Sequence, residues 1–149
     1  MKPRRLGRSG VKTVVVDAWA VVAWLKDERP ASEQVARLLE RSAAGSVRVY
    51  LSAINAGEVY YSLVKEGKPD LGSRFRNLLP SMPVTTVVPD LDAISLAAEW
   101  KAKAQISYAD GFAVALAAQT GAILFTGDPE LKSVLPAAKI QWLQRNKKK

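Results

Sequence analysis

Thr13-Val14-Val15-Val16-Asp17 is an unbroken β-branched run that ends in a carboxylate. A run apolar at successive positions suits a strand covered on both faces, as in a parallel sheet flanked by helices. In open α/β sheets the functional crevice lies beyond the carboxyl ends of the strands, and Asp17 stands at that position. Asp17 also precedes the apolar stretch Ala18 to Leu25, so it has a second reading as a helix N-cap. The run by itself does not choose between the two.

On either side of this run the pattern alternates between strand and helix. Ala18 to Leu25 is apolar all round, which suits a short buried helix. After the connection Lys26 to Arg29, Pro30 opens a helix to about Ala43, with Val35, Leu38 and Leu39 on its apolar side and Gly45 ending it. Arg48 to Leu51 reads as a second strand, and Ser52 caps a helix from Ala53 to Glu66. Gly67 and Pro69 stop that helix. Asp70 to Leu79 is helical, Pro80 to Pro83 breaks the pattern, and Val84 to Val88 is a third strand.

Pro89 and Asp90 introduce a helix through Lys103, and Ser107 starts another over Tyr108 to Thr120, closed by Gly121. Ile123 to Thr126 is a fourth strand. Gly127-Asp128-Pro129 turns into a short helical piece over Glu130 to Val134, and Ile140 to Leu143 forms a fifth, edge strand. Alternation of this kind predicts an α/β fold, a three-layer α/β/α sandwich around a mainly parallel sheet of four or five strands. Trp24 and Tyr61 are read as packed residues.

The chain has 149 residues, 48% of them hydrophobic and 24% charged, which fits one globular domain with a proper core. We place that domain at residues 13–143, between a basic, disordered N-terminal tail at 1–12 and a basic C-terminal tail at 144–149. The absence of cysteine excludes disulfides and thiolate metal sites. The absence of histidine removes the usual general base, any Ser-His-Asp arrangement and the commonest zinc ligand. Chemistry must therefore run on carboxylates, hydroxyls, lysine or a hard cation. No apolar run approaches the length of a membrane span, and the basic N-terminus has no apolar region behind it, so a soluble, cytoplasmic protein is expected.

The net charge of +8 is unevenly spread: residues 1–12 and 139–149 hold five cations each and no acid, whereas the middle carries 12 cations against 14 acids. Such tails are either solvated ends or a source of non-specific attraction to a phosphate backbone.

Four of the 14 acids stand apart by position. Asp17 closes the first strand, and Asp128 follows the fourth by two residues. Asp110 lies three residues after Ser107, and Glu58 shares a helical stripe with Asn55 and Ser62. Each has an ordinary explanation: N-caps for Asp17 and Asp128, capping-box spacing for Ser107 and Asp110, a solvated face for Glu58. Taken together, two acids at strand ends and two near helix starts can converge on one edge of a parallel sheet. Four repelling carboxylates there need a cation, and an oxygen-only donor set points to Mg²⁺, with Mn²⁺ as substitute, rather than zinc.

The ordered set Val16-Asp17-Ala18-Trp19-Ala20 (with Leu25-Lys26-Asp27-Glu28 behind it), Asn55-Ala56-Gly57-Glu58-Val59-Tyr60-Tyr61, Ser107-Tyr108-Ala109-Asp110-Gly111-Phe112-Ala113-Val114-Ala115 and Leu124-Phe125-Thr126-Gly127-Asp128-Pro129 resembles the PIN-domain nucleases. Within that family it is similar to the VapC-like toxin ribonucleases of type II toxin-antitoxin modules. The resemblance spans residues 13–143, and the basic start is outside the family pattern. It implies a Mg²⁺- or Mn²⁺-dependent endoribonuclease with Asp17, Glu58, Asp110 and Asp128 as metal-holding, catalytic carboxylates. Thr126 is the candidate for a supporting hydroxyl near the attacking water or scissile phosphate, and Asn55 a weaker one. The implied partners are an RNA substrate, a cognate antitoxin and a second copy in a homodimer, with no membrane.

Other readings remain open at this stage. A housekeeping RNA-processing nuclease would carry the same acids, and a non-catalytic PIN-like domain would bind RNA or protein without cleaving. A signalling receiver domain also gathers acids around Mg²⁺. It would want an acid pair near the first strand and a phosphoacceptor after the third, and Pro89-Asp90 does not supply that set.

Overall fold

A computed structural model gives the structure of the chain and describes residues 10–135 and 138–145; residues 1–9 and 146–149 of the expected tails lie outside the described residues. The elements are β1 (Lys12–Val16), α1 (Ala18–Leu25), α2 (Ala31–Ala43), β2 (Val47–Ser52), α3 (Ala53–Lys65), α4 (Pro69–Leu78), β3 (Thr85–Val87), α5 (Leu91–Lys103), α6 (Tyr108–Thr120), β4 (Ile123–Thr126) and β5 (Ile140–Trp142). Short 3-10 helices cover Leu79–Ser81 and Pro129–Val134. The five strands form one sheet in the order β3-β2-β1-β4-β5, and every neighbouring pair is parallel.

β1 is the middle strand and is buried on both faces, as its sequence requires. Val14 and Val16 pack with Val35, Leu38, Val59, Leu63 and Phe75 from α2, α3 and α4. Val15 points the other way and packs with Val114, Leu116, Leu124 and Leu131. These two clusters are the faces of a three-layer α/β/α sandwich, in line with the predicted class. α5 lies outside α6, where Gly111 permits close approach: a Cβ there would stand 2.6 Å from the Ala97 carbonyl oxygen.

The order of the strands locates the functional edge. From β1 the chain moves outward through β2 to β3, then returns to the other side of β1 for β4 and β5. The direction reverses between β1 and β4, so a crevice opens beyond their carboxyl ends. Val16 pairs with Phe125 in that ladder, which brings the next residues, Asp17 and Thr126, side by side.

The differences from expectation are local. β3 is only Thr85–Val87, because Val88 is exposed and Pro89 has no N–H with which to extend a ladder. Pro30 is the residue before α2 rather than its first. Tyr61 is not a packed residue: it is 61% exposed, while Val59 and Leu63 on the other side of α3 are buried. Trp24 is partly buried against the core.

Candidate functional site

Three of the four expected acids are placed by the local rule that offered their ordinary explanation; Glu58 instead leaves the solvated face expected for it and is half-buried. Asp17 caps α1, its Oδ1 accepting from the Ala20 N–H at 2.9 Å. Ser107 and Asp110 form a capping box at the start of α6: Ser107 Oγ accepts from the Asp110 N–H at 3.0 Å, and Asp110 Oδ2 accepts from the Ser107 N–H at 3.2 Å. Asp128 starts the 3-10 helix Pro129–Val134, with Oδ1 accepting from the Glu130 N–H at 3.0 Å. Capping therefore aims these carboxylates instead of competing with a site.

Two further hydrogen-bonding side chains lock the group together. Thr126 Oγ1 donates to Asp17 Oδ2 and accepts from the Asp128 N–H. A hydroxyl has one proton, so that of Thr126 is committed to Asp17. Asn55 is fully buried, and its Nδ2 donates to Glu58 Oε1 at 3.2 Å and to the Ala109 carbonyl at 3.0 Å, tying α3 to the first turn of α6. Its Oδ1 is buried with no partner among the described residues.

Glu58, Asp110 and Asp128 line a groove of about 300 Å³; Asp17, only 2% exposed, is not part of that lining but lies close enough to feel the charges of Asp110 and Asp128. Burial pushes the Asp17 carboxyl up to about 7; the bonds from Thr126 and Ala20 pull it down, and the charges of Asp110 and Asp128 add to the rise. Burial also raises Glu58 and Asp110, opposed by Asn55 and Ser107 respectively and reinforced in both by Asp128. Carboxylates made costly to ionise by one another and by burial are a natural seat for a cation. The donor chemistry fits a hard one: Asp110, Asp128 and Glu130 offer oxygens all within 4.8 Å of one another.

With this geometry in view, comparison with known proteins is direct. The family model of the PIN domain matches residues 14–134. The chain belongs to the PIN domain family. None of the curated proteins matches it.

Among solved structures, the PIN domain is similar to VapBC2 from Rickettsia felis bound to a DNA fragment from its promoter, at 13% identity and TM-score 0.68, covering 89% of this chain and 99% of that one. It is also similar to VapC20 of Mycobacterium tuberculosis, a sarcin-ricin loop cleaving toxin, at 17% identity and TM-score 0.68, covering 82% and 95% of the two chains. VapBC-1 from nontypeable Haemophilus influenzae follows at 20% identity and TM-score 0.62, covering 87% and 97%. At these identities the likeness is one of fold.

The remaining walls of the PIN domain's groove are residues that the sequence did not nominate for the site, although Trp19, Lys26 and Glu28 lie within the segments that carry the family resemblance. α1 contributes Trp19 and Val22, Lys26 follows at its end, and Glu28 and Glu66 stand around Lys26. Glu66 continues the stripe of Glu58 and Ser62 at intervals of four, a signal available in the sequence. Glu130 was marked only by lying two residues beyond Asp128. Trp19 packs directly over Gly127, where a Cβ would come within 2.2 Å of the ring. Among the described residues, no helix is long and apolar enough to cross a membrane.

Proposed function

We propose that this PIN domain is a divalent-cation-dependent endoribonuclease, and that it is the toxin of a type II toxin-antitoxin pair. The observation that carries the reading is the convergence of Asp17, Glu58, Asp110 and Asp128 at the switch point between β1 and β4. The toxin assignment is supported by the fold shared with VapC20 and the VapBC proteins, which also argues for an antitoxin partner. A homodimer is part of the same proposal.

In this reading Asp110, Asp128, Glu58 and Asp17 hold Mg²⁺ or Mn²⁺, directly or through water, and Glu130 lies within reach of the same ion. A bound cation supplies a water of lowered pKa and offsets the charge that develops on the phosphoryl oxygens during in-line attack. Thr126 keeps Asp17 and the Asp128 backbone in register, so its role is to position carboxylates rather than to meet the water itself. Asn55 does the same for Glu58. Asp17 would have to be ionised to serve as a ligand, and the burial that pushes its carboxyl up to about 7 would oppose this below neutral pH.

The test is cleavage of a mixed single-stranded RNA by purified protein with Mg²⁺, with Mn²⁺ and with chelator, repeated for Asp17→Asn and Asp110→Asn. Cleavage that needs the cation and disappears in both variants is the expected result. Cation-dependent cleavage that survives either substitution would refute the site. Co-purification with the product of a neighbouring small reading frame, and inhibition by it, tests the toxin assignment.

A further inference from the structure

The groove has two chemically different ends. At one stand Glu58, Asp110 and Asp128; at the other Lys26 Nζ lies 2.8 Å from Glu66 Oε1 and 3.5 Å from Glu28 Oε2. The two helices supply parallel stripes: Trp19, Val22 and Lys26 from α1 and its end, Glu58, Ser62 and Glu66 from α3 and its end. Lys26 is the one cation among the described residues that line the groove. At the helical rise it is about 13 Å along α1 from Asp17.

Holding α1 to α3 does not account for a lysine in this position. The Lys26 and Glu66 side chains are 22% and 41% exposed, and an ion pair so open adds little to the fold. An ammonium has three donors, and the pair with Glu66 uses one well and the contact with Glu28 another at longer range. A polyanion drawn toward the acidic end must meet one compensating charge on the protein wall, and Lys26 supplies it. Its bond to Glu66 also keeps it protonated.

We propose that Lys26 anchors a phosphate of the RNA strand flanking the one being cleaved, within one or two nucleotides of it, and that Glu66 occupies its ammonium group until RNA displaces it. This rests on the RNA-cleavage reading above and adds a position for the substrate. Lys26 is thus a substrate-positioning residue, with Trp19 and Val22 lining the path between it and the acids.

The experiment is a fluorescence anisotropy titration of full-length protein with a labelled 12-nucleotide mixed-sequence RNA in Ca²⁺, over a range of salt, alongside cleavage kinetics in Mg²⁺. Lys26→Ala should lower the slope of log K against log salt by about 0.7, which amounts to about fivefold weaker binding at 0.1 M salt. It should raise KM while kcat is held. Lys26→Arg should retain binding and serves if the alanine variant folds poorly. Glu66→Gln should bind RNA more tightly, because it removes the competitor for Lys26.

A purely structural pair gives a different result: both variants shift Tm alike and leave RNA affinity unchanged, which would overturn the proposal while wild-type cleavage keeps the nuclease reading intact. Wild-type protein that binds RNA without cleaving it would sink the nuclease reading alone, and the salt slope still decides on Lys26. Wild-type protein that neither binds nor cleaves RNA overturns both.

Discussion

Thr126 Oγ1 donates to Asp17 Oδ2 while accepting from the backbone N–H of Asp128, so a single hydroxyl couples the carboxylate that follows β1 to the backbone of the acid that follows β4. Replacing Thr126 by Val keeps the shape and removes both bonds. We expect Mn²⁺ affinity, measured calorimetrically, to fall by about 10- to 100-fold in Thr126→Val, and Thr126→Ser to stay near wild type. Equal affinities in all three proteins would remove Thr126 from the site.

The buried Asp17 sets a pH dependence whose sign is fixed. Its carboxyl holds a proton up to about pH 7 in the folded chain, whereas an unfolded aspartate releases it near 3.9. Between those values the folded state binds more protons, so the stability of the metal-free protein should fall as pH rises from about 4 to about 7, then level off. The raised carboxyls of Glu58 and Asp110 act in the same direction. The Asp17 contribution is on the order of a few kcal/mol. Thermal melts in chelator from pH 5 to 8 should show the decline, and Asp17→Asn, which keeps an N-cap, should flatten it. Mn²⁺ should restore stability at pH 8. Parallel declines in wild type and variant would assign the effect elsewhere.

Two glycines separate packing from site geometry. A methyl at Gly111 meets the Ala97 carbonyl, backbone that cannot step aside, so Gly111→Ala should lose about 1–3 kcal/mol in urea unfolding. The atoms nearest a methyl at Gly127 belong to the far edge of the Trp19 ring, a side chain that can swing. Gly127→Ala should alter tryptophan emission and raise KM for RNA with a smaller loss of stability, and the emission change should vanish in a Trp19→Phe background.

The charged ends give a fourth expectation. Removing residues 1–9 and 146–149 takes away seven of the 22 cations and none of the 14 acids. Non-specific RNA affinity should drop and its salt dependence flatten, with Mn²⁺ affinity unchanged. A salt slope identical to that of the full chain would mean the tails do not touch RNA.

The parts of this molecule that obey local rules were legible from the residues alone. Three valines before Asp17 announce a strand covered on both sides, and Ser107 three residues before Asp110 announces a helix start. Asp17, Asp110 and Asp128 could be nominated for the same reason, since each sits at a strand end or helix start, and Glu58 by the stripe it shares with Asn55 and Ser62. What could not be read depends on contacts across the fold. The Thr126 proton goes to a residue 109 positions away, and Asn55 reaches a carbonyl 54 positions away. Periodicity marks Tyr61 as one more aromatic near an apolar stripe; only the packing of α3 shows that it faces outward. Lys26 looked like part of a connection because its meaning lies in Glu66, 40 residues on.

The caps at Asp17 and Asp128 carry a charge that starting a helix does not require. Asn or Ser would start either helix about as well as Asp. For folding alone a neutral cap would serve, and at Asp17 it would avoid burying a group that resists ionisation. With Asp at both positions and Asp110 in the Ser107 box, the three helix starts put three acids where Asn or Ser caps would put none.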